Sequence, residues 1–214
     1  MPRFRDRREA GRLLGERLSA YAGRDDVVVL ALPRGGVPVG YEVARSLGAV
    51  LDVFVVRKLG VPGHEELALG AVASGVVRVL NDDVVAALGL SEGEIESIAE
   101  RELAELERQE HAYRGDRPPL ALQGKVAILV DDGLATGATM RAAVLAVHGF
   151  EPQSVVVAVP VAAEQTCDEF RGEVDEVVCV YTPEEFYAVG LWYEDFEQTS
   201  DEEVRELLQE AALA

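Results

Sequence analysis

Val126-Ala127-Ile128-Leu129-Val130-Asp131-Asp132-Gly133-Leu134-Ala135-Thr136-Gly137-Ala138-Thr139-Met140 is the stretch that decides the reading of this chain. It runs from five apolar residues, through two adjacent carboxylates and a loop of small residues, into a helix expected over 137–148. An apolar run of that length ending in a turn reads as a strand buried on both faces. Free amides at the start of the helix, around residues 136–139, can hold a phosphate dianion, and the hydroxyls of Thr136 and Thr139 add donors. Gly137 permits close approach there. The carboxylates of Asp131 and Asp132 would repel that phosphate and so must face something else. Two vicinal hydroxyls, as on a ribose, suit adjacent carboxylate acceptors, and a bound Mg²⁺ would offset the local negative charge. A lone Asp-Asp pair would need no ligand, since it could simply cap the next turn. The complete arrangement points to a phosphorylated ribose gripped at both ends.

Outward from this stretch, strands alternate with helices. Residues 5–21 place Leu13, Leu14, Leu18 and Tyr21 at helical spacing, which predicts an amphipathic helix covering one face of a sheet. Residues 27–32 form another continuous apolar run, ending at Pro33-Arg34-Gly35-Gly36, and a helix is expected over 38–47. Residues 50–56 read as the next buried strand. The segment Arg57-Lys58-Leu59-Gly60-Val61-Pro62-Gly63-His64 breaks that pattern with two glycines and a proline, so a mobile loop is expected. Residues 76–80 read as a short flap strand. Ser91, with Glu94 three positions later, predicts a capping box opening a long polar helix to Tyr113 that carries Ile95, Ile98, Leu103 and Leu106. Two further buried strands are expected at 155–159 and 174–180, separated by a helix near 164–170. The acidic end, 194–214, closes with a helix bearing Val204, Leu207 and Leu208. Such alternation implies an α/β fold with a mostly parallel sheet flanked by helices, whose ligands bind beyond the carboxyl ends of the strands.

A chain of 214 residues fits a single domain over 1–214, with a small flap or hood added. No apolar run approaches the roughly 20 residues that cross a bilayer, and the start, Met1-Pro2-Arg3-Phe4-Arg5, lacks the apolar region of a signal peptide. A soluble, cytoplasmic protein is expected, with no membrane partner. The two cysteines, Cys167 and Cys179, have no metal-ligand spacing and read as small apolar residues in or near the core. Acidic residues number 39 against 20 basic, a formal charge of −19, which repels nucleic acid at long range. A small anionic substrate remains compatible, because backbone amides and a few local cations can make a positive pocket in a negative protein.

The stretch 126–140 resembles the phosphoribosyl-pyrophosphate motif of type I phosphoribosyltransferases, and its Asp-Asp-x-x-Ala-Thr-Gly-x-Thr form is especially similar to adenine phosphoribosyltransferase. The resemblance implies that family's Rossmann-like fold, with a flexible loop or flap and a small C-terminal hood at about 183–214. It implies ribose hydroxyls on Asp131 and Asp132, and a 5′-phosphate on the loop from Gly133 through Ala135, Thr136, Gly137, Ala138 and Thr139. Leu32-Pro33-Arg34-Gly35-Gly36 falls where the family has its pyrophosphate loop, whose amides grip the leaving group and whose peptide before the first glycine is often strained or cis. Arg34 would add charge. Phe54-Val55-Val56-Arg57-Lys58-Leu59-Gly60-Val61-Pro62 resembles the segment leading into the family's catalytic loop, which implies Arg57 and Lys58 on pyrophosphate oxygens.

The implied reaction transfers the phosphoribosyl group of 5-phosphoribosyl-1-pyrophosphate to a nitrogenous acceptor, with a nucleobase as one candidate, and releases pyrophosphate. Mg²⁺ is implied as cofactor, held mainly by substrate and water, with Asp131 and Asp132 as candidate protein ligands. Hypoxanthine-guanine enzymes of the family carry an acid/base Asp where this chain has Ala135; Glu65 or Glu66 in the mobile loop is the candidate replacement. Phe186-Tyr187-Ala188-Val189-Gly190-Leu191-Trp192-Tyr193-Glu194-Asp195 resembles a base-binding hood, with Tyr187 or Phe186 as a stacking platform. The helical insertion at about 91–115 lies outside the adenine-enzyme pattern. A second copy of the chain is a further candidate partner. An alternative is a sensor of the same fold that binds 5-phosphoribosyl-1-pyrophosphate without turning it over.

Overall fold

The Asp6 carboxylate accepts a hydrogen bond from the Glu9 amide at 2.7 Å and so sets the start of the first helix, α1 (Arg7–Arg17). This computed structural model describes residues 3–61, 64–74, 77–80, 82–115 and 117–213. Helix α1 is shorter at both ends than the 5–21 expected, and a 3-10 turn, Ser19–Tyr21, completes that span. The chain continues through β1 (Val27–Ala31), α2 (Gly36–Leu47), β2 (Val50–Val53), β3 (Val56–Val61), β4 (His64–Ala73), β5 (Val77–Leu80), α3 (Asp82–Leu88) and α4 (Glu92–Arg114). It closes with β6 (Val126–Val130), α5 (Ala138–Val147), β7 (Ser154–Val161), α6 (Glu164–Phe170), β8 (Glu176–Tyr181) and α7 (Asp201–Leu213).

Five strands form one parallel sheet in the order β2-β1-β6-β7-β8. β1 and β6 lie side by side at its centre, with Ala31 opposite Val130, so the loops that leave their carboxyl ends emerge together. All five residues of each strand are buried. One face packs Val29, Ala31, Ile128 and Val130 against α1, α2 and α7; the other packs Leu30, Ala127 and Leu129 against α5 and α6. Val204, Leu207 and Leu208 of α7 are buried as their spacing predicts. Strand β8 differs from expectation. It is the sheet edge, so its side chains are half-buried apart from exposed Glu176.

The stretch 50–56 is not one strand. β2 stays in the parallel sheet, and at Phe54–Val55 the chain leaves for a separate antiparallel sheet ordered β3-β4-β5. The expected mobile loop at 57–64 is therefore largely strand: β3 pairs with β4 from Val56↔Ala73 to Val61↔His64, with register irregularities at Leu59–Gly60 and Gly60–Val61. Pro62 and Gly63 lie outside the described residues. The glycines signal a break locally, but pairing with a strand further along the chain prevails over that signal.

Helix α4 begins with the expected capping box at Ser91 and Glu94. It buries Ile95, Ile98 and Leu106 against Val55, Leu59, Leu69 and Val72 of the flap, with Leu103 half-buried. Its far end is anchored by Arg114, whose Nε and Nη2 each lie 3.1 Å from the carboxylate of Asp52 on β2. Among the described residues, no helix is long and apolar enough to cross a membrane.

Candidate functional site

The loop after β6 and the loop after β1 meet at the carboxyl edge of the sheet. The Pro33–Arg34 peptide between β1 and α2 is cis. Gly35 lies so near the neighbouring loop that a Cβ on it would fall within 2.8 Å of Asp132 Cγ and nearer still to Oδ2. A Cβ on Gly36 would stand 2.7 Å from the Val130 carbonyl and 3.0 Å from Asp131 Cα. Both glycines are therefore required for close approach, and Gly35, at φ −60° and ψ −32°, needs no unusual backbone freedom. Helix α2 begins at Gly36, two residues before the expected start, directly on this loop.

Asp131 and Asp132 lie half-buried at the end of β6. The Asp132 amide donates to Asp131 Oδ1 at 2.8 Å. Burial, and then the neighbouring Asp132 charge, push the Asp131 carboxyl well above the ordinary carboxylate range. Burial also raises Asp132, against the opposing effect of Arg7, whose Nε donates to Asp132 Oδ2 at 2.8 Å. Arg7 opens α1 and carries none of the sequence motifs. Its Nη1 donates to the Glu197 carbonyl at 2.6 Å, and its guanidinium carbon lies 3.9 Å from the Phe196 ring centre. Tyr193 reaches the same place, donating its hydroxyl to the Asp132 carbonyl at 2.6 Å.

The loop continues through Gly133, where a Cβ would meet the Val189 side chain at 2.6 Å, to Leu134, which bridges to Ala162 beyond β7. Gly137 adopts φ +70° and lies against Phe170 and Thr166, so a side chain there would be both strained and obstructed. Thr166 on α6 holds the loop by donating to the Ala135 carbonyl at 3.0 Å. Helix α5 then begins at Ala138 with no side-chain hydrogen bond from its cap residue, Gly137. Thr136 and Thr139 are exposed at this helix start, where the first amides have no partner within the helix and the Ala138 amide lies 3.5 Å from Thr136 Oγ1.

The cations divide. Arg34 sits 3.7 Å from Asp201 at the head of α7 and lines a cavity of about 320 Å³ with Pro33, Arg108, Gln109, Tyr113 and others. Neighbouring strand residues project to opposite faces, so Arg57 and Lys58 do not converge on one patch. Arg57 donates to Glu102 of α4 at 2.7 Å. Lys58 shares its face with Val56, which packs into the cluster that contains Met140 and Ala143 of α5. Lys58 thus lies on the face of β3 that Val56 packs toward α5, opposite Arg57. The backbones of Glu65 and Glu66 lie in β4, and their side chains lie outside the described residues.

In the hood segment, Tyr187 is 79% exposed and lines a cavity of about 410 Å³ with Arg3, Glu185, Leu191 and Trp192. Val189 and Tyr193 both touch the 131–139 loop, at Gly133 and at the Asp132 carbonyl, and Phe186 packs toward Phe4, Val161 and Trp192. Cys167 is buried, and Cys179 is half-buried on β8 beside it in the same apolar cluster. Sequence reasoning misses Arg7, Tyr193 and Thr166. The aromatic density at 186–196 is the one available signal, and it draws attention to Tyr187 instead of Tyr193.

The family model for the phosphoribosyl transferase domain matches residues 6–191. Rv0571c of Mycobacterium tuberculosis H37Rv, provisionally named a phosphoribosyl transferase, is 49% identical over 211 residues, which cover 99% of this chain and 47% of that protein. The chain thus spans about half the length of the curated relatives it matches. The crystal structure of TT1426 from Thermus thermophilus is 46% identical with a TM-score of 0.89, covering 97% of this chain and 98% of that one. AQ2163 from Aquifex aeolicus, at 14% identity and a TM-score of 0.51 over 86% of this chain and 76% of its own, shares the fold.

Proposed function

Because the chain belongs to the type I phosphoribosyltransferase family, we propose that it binds 5-phosphoribosyl-1-pyrophosphate on the Asp131–Thr139 loop and transfers the phosphoribosyl group to a nitrogenous acceptor, releasing pyrophosphate. The observation that carries this reading is the meeting of two loops. A carboxylate pair and an open helix start lie on one loop, and the Gly35–Gly36 backbone lies against the carboxylates from the other. One ligand with a diol, a 5′-phosphate and a pyrophosphate has complementary groups for all three. Residues 1–214 act in this reading as one catalytic unit, with 91–115 as an insertion and 183–214 as a hood.

Asp131 and Asp132 accept from the ribose hydroxyls, and the amides and hydroxyls of residues 136–139 hold the 5′-phosphate. Displacement of pyrophosphate from C1 spreads positive charge over C1 and the ring oxygen while negative charge grows on the leaving group. Donors held in advance around the leaving group are then the main source of catalysis. The backbone of the turn up to Gly35, together with Lys58, fills that role; the Gly36 amide is already bonded to the Leu32 carbonyl at 3.0 Å. Mg²⁺ would supply further charge neutralisation on the phosphate oxygens. The residues present fit a metal held mostly by substrate and water, since the donor loop offers two carboxylates and Arg7 already engages one of them. Val189, seated over Gly133, and the flap of β3, β4 and β5 help exclude water, which would otherwise capture the ribosyl cation.

Pyrophosphate release in the presence of donor, Mg²⁺ and a panel of nucleobases and amines tests the reading. Release should require acceptor and collapse in Asp132→Asn, and release unchanged by that substitution would overturn it. Tight donor binding without turnover of any acceptor would instead identify a sensor.

A further inference from the structure

Asp132 is held from both ends of the chain, its side chain by Arg7 and its backbone by Tyr193. Arg7 Nε donates to its Oδ2 at 2.8 Å, and Tyr193 donates to its backbone carbonyl at 2.6 Å. Arg7 is itself fixed. Its Nη1 is bonded to the Glu197 carbonyl at 2.6 Å, its guanidinium lies 3.9 Å from the centre of the Phe196 ring, and its side chain is 12% exposed. A planar guanidinium stacked on one face and bonded along its edge has little rotational freedom left, so the carboxylate it grips inherits its orientation. On the other side, a Cβ on Gly35 would come within 3.4 Å of Arg7 Nε, so Arg7 and Asp132 together border the β1 loop.

We propose that Arg7 is a positioning residue for the donor's ribose: by holding the Oδ2 edge of Asp132, it aims the other carboxylate oxygen at a ribose hydroxyl. This inference rests on the donor reading above and extends it to residues outside the family-like motifs. The clamp draws α1 and the 193–197 segment onto one carboxylate. The hydrogen bonds of Arg7 go to Asp132 and Glu197, so it acts first on recognition of the diol, although it borders the β1 loop. Glutamine at position 7 removes the charge and the fork; lysine keeps the charge without the planar stack.

The test is titration calorimetry of the full chain with Mg²⁺ and three probes: ribose 5-phosphate, 2-deoxyribose 5-phosphate and inorganic pyrophosphate. Wild-type protein should prefer ribose 5-phosphate to its 2-deoxy analogue. Arg7→Gln should lose that preference and bind ribose 5-phosphate about 10-fold to 100-fold more weakly, the usual effect of removing a residue that orients a ligating group, while pyrophosphate affinity falls by less. Arg7→Lys should recover part of the loss. Phe196→Leu, at a partly exposed ring whose replacement leaves the core intact, should reproduce a smaller form of it. Arg12→Gln, on the same helix and paired with Glu42 at 3.4 Å, should bind all three probes as wild type does. If Arg7→Gln and Phe196→Leu both keep the wild-type preference for ribose, the clamp is refuted and the donor reading stands. If wild-type protein binds neither ribose 5-phosphate nor the full donor, the donor reading fails first.

Discussion

Gly35→Ala isolates the close approach of the two site loops from every backbone effect. Gly35 sits at φ −60° and ψ −32°, a conformation alanine adopts freely, so the substitution adds one methyl group and nothing else. That methyl would stand within 2.8 Å of Asp132 Cγ, well inside the roughly 3.5 Å at which nonbonded heavy atoms are comfortable. Asp132 cannot simply turn aside, because Arg7 at 2.8 Å holds its Oδ2. Either the carboxylate moves by about 1 Å and the Arg7 bond breaks, or the two loops part. A displacement of that size in a binding constellation is worth about 100-fold. Overpacking of one methyl costs about 1–3 kcal/mol of stability, which lowers the melting temperature by about 2–12 °C in a chain of this size. Calorimetry with 5-phosphoribosyl-1-pyrophosphate reads the first effect and a thermal melt reads the second. Gly93→Ala provides the control: its Cβ would meet nothing within 4 Å, so donor affinity should hold and stability should rise by about 0.4–1 kcal/mol. Donor binding in Gly35→Ala within about threefold of wild type, under about 0.7 kcal/mol, would refute the idea that Asp132 must occupy this position.

Three further outcomes follow from the same geometry. Because the Asp131 carboxyl is raised in the folded protein, its stabilising contribution is present below the unfolded carboxyl value of about 3.9 and is lost as pH rises through the folded value. Asp131→Asn escapes that loss, so its melting temperature relative to wild type should climb as pH rises above about 4; a flat difference over that rise would contradict the burial argument. Arg114→Met strips Asp52 of its two-point partner at 3.1 Å and leaves its carboxylate with Arg117 at 3.7 Å and the Val53 amide at 2.8 Å, a loss of about 1.5–3 kcal/mol by denaturant titration that Asp52→Leu on the same background should partly reverse. Lys58→Gln should slow pyrophosphate release about 100-fold, whereas Arg57→Gln, which removes a cation already engaged by Glu102, should slow it far less; equal losses would show that both cations reach the leaving group.

The donor loop is legible because its physics is contiguous. A strand run, two carboxylates, a small-residue loop and a helix start follow one another in 126–140, and each carries its own local preference. The capping box at Ser91 and the buried face of α7 are readable for the same reason. The segment at 57–64 misleads because its glycines and proline are local break signals, while the pairing of β3 with β4 depends on residues up to Ala73. That pairing then determines the faces of Arg57 and Lys58. Side chains one residue apart look equivalent in a sequence and point in opposite directions in a strand.

Arg7 marks the boundary most clearly. It lies 125 positions from Asp132, at the start of an amphipathic helix where an arginine is the most ordinary of residues. The sequence by itself determined the α/β alternation and the strand, carboxylate pair, small-residue loop and helix start of 126–140, since hydrophobic periodicity and helix-start preferences act over neighbouring residues. The tertiary structure alone decided which cation meets which carboxylate, which aromatic residue reaches the site, and how the flap is paired. Those are contacts between segments far apart along the chain, and no local periodicity encodes them.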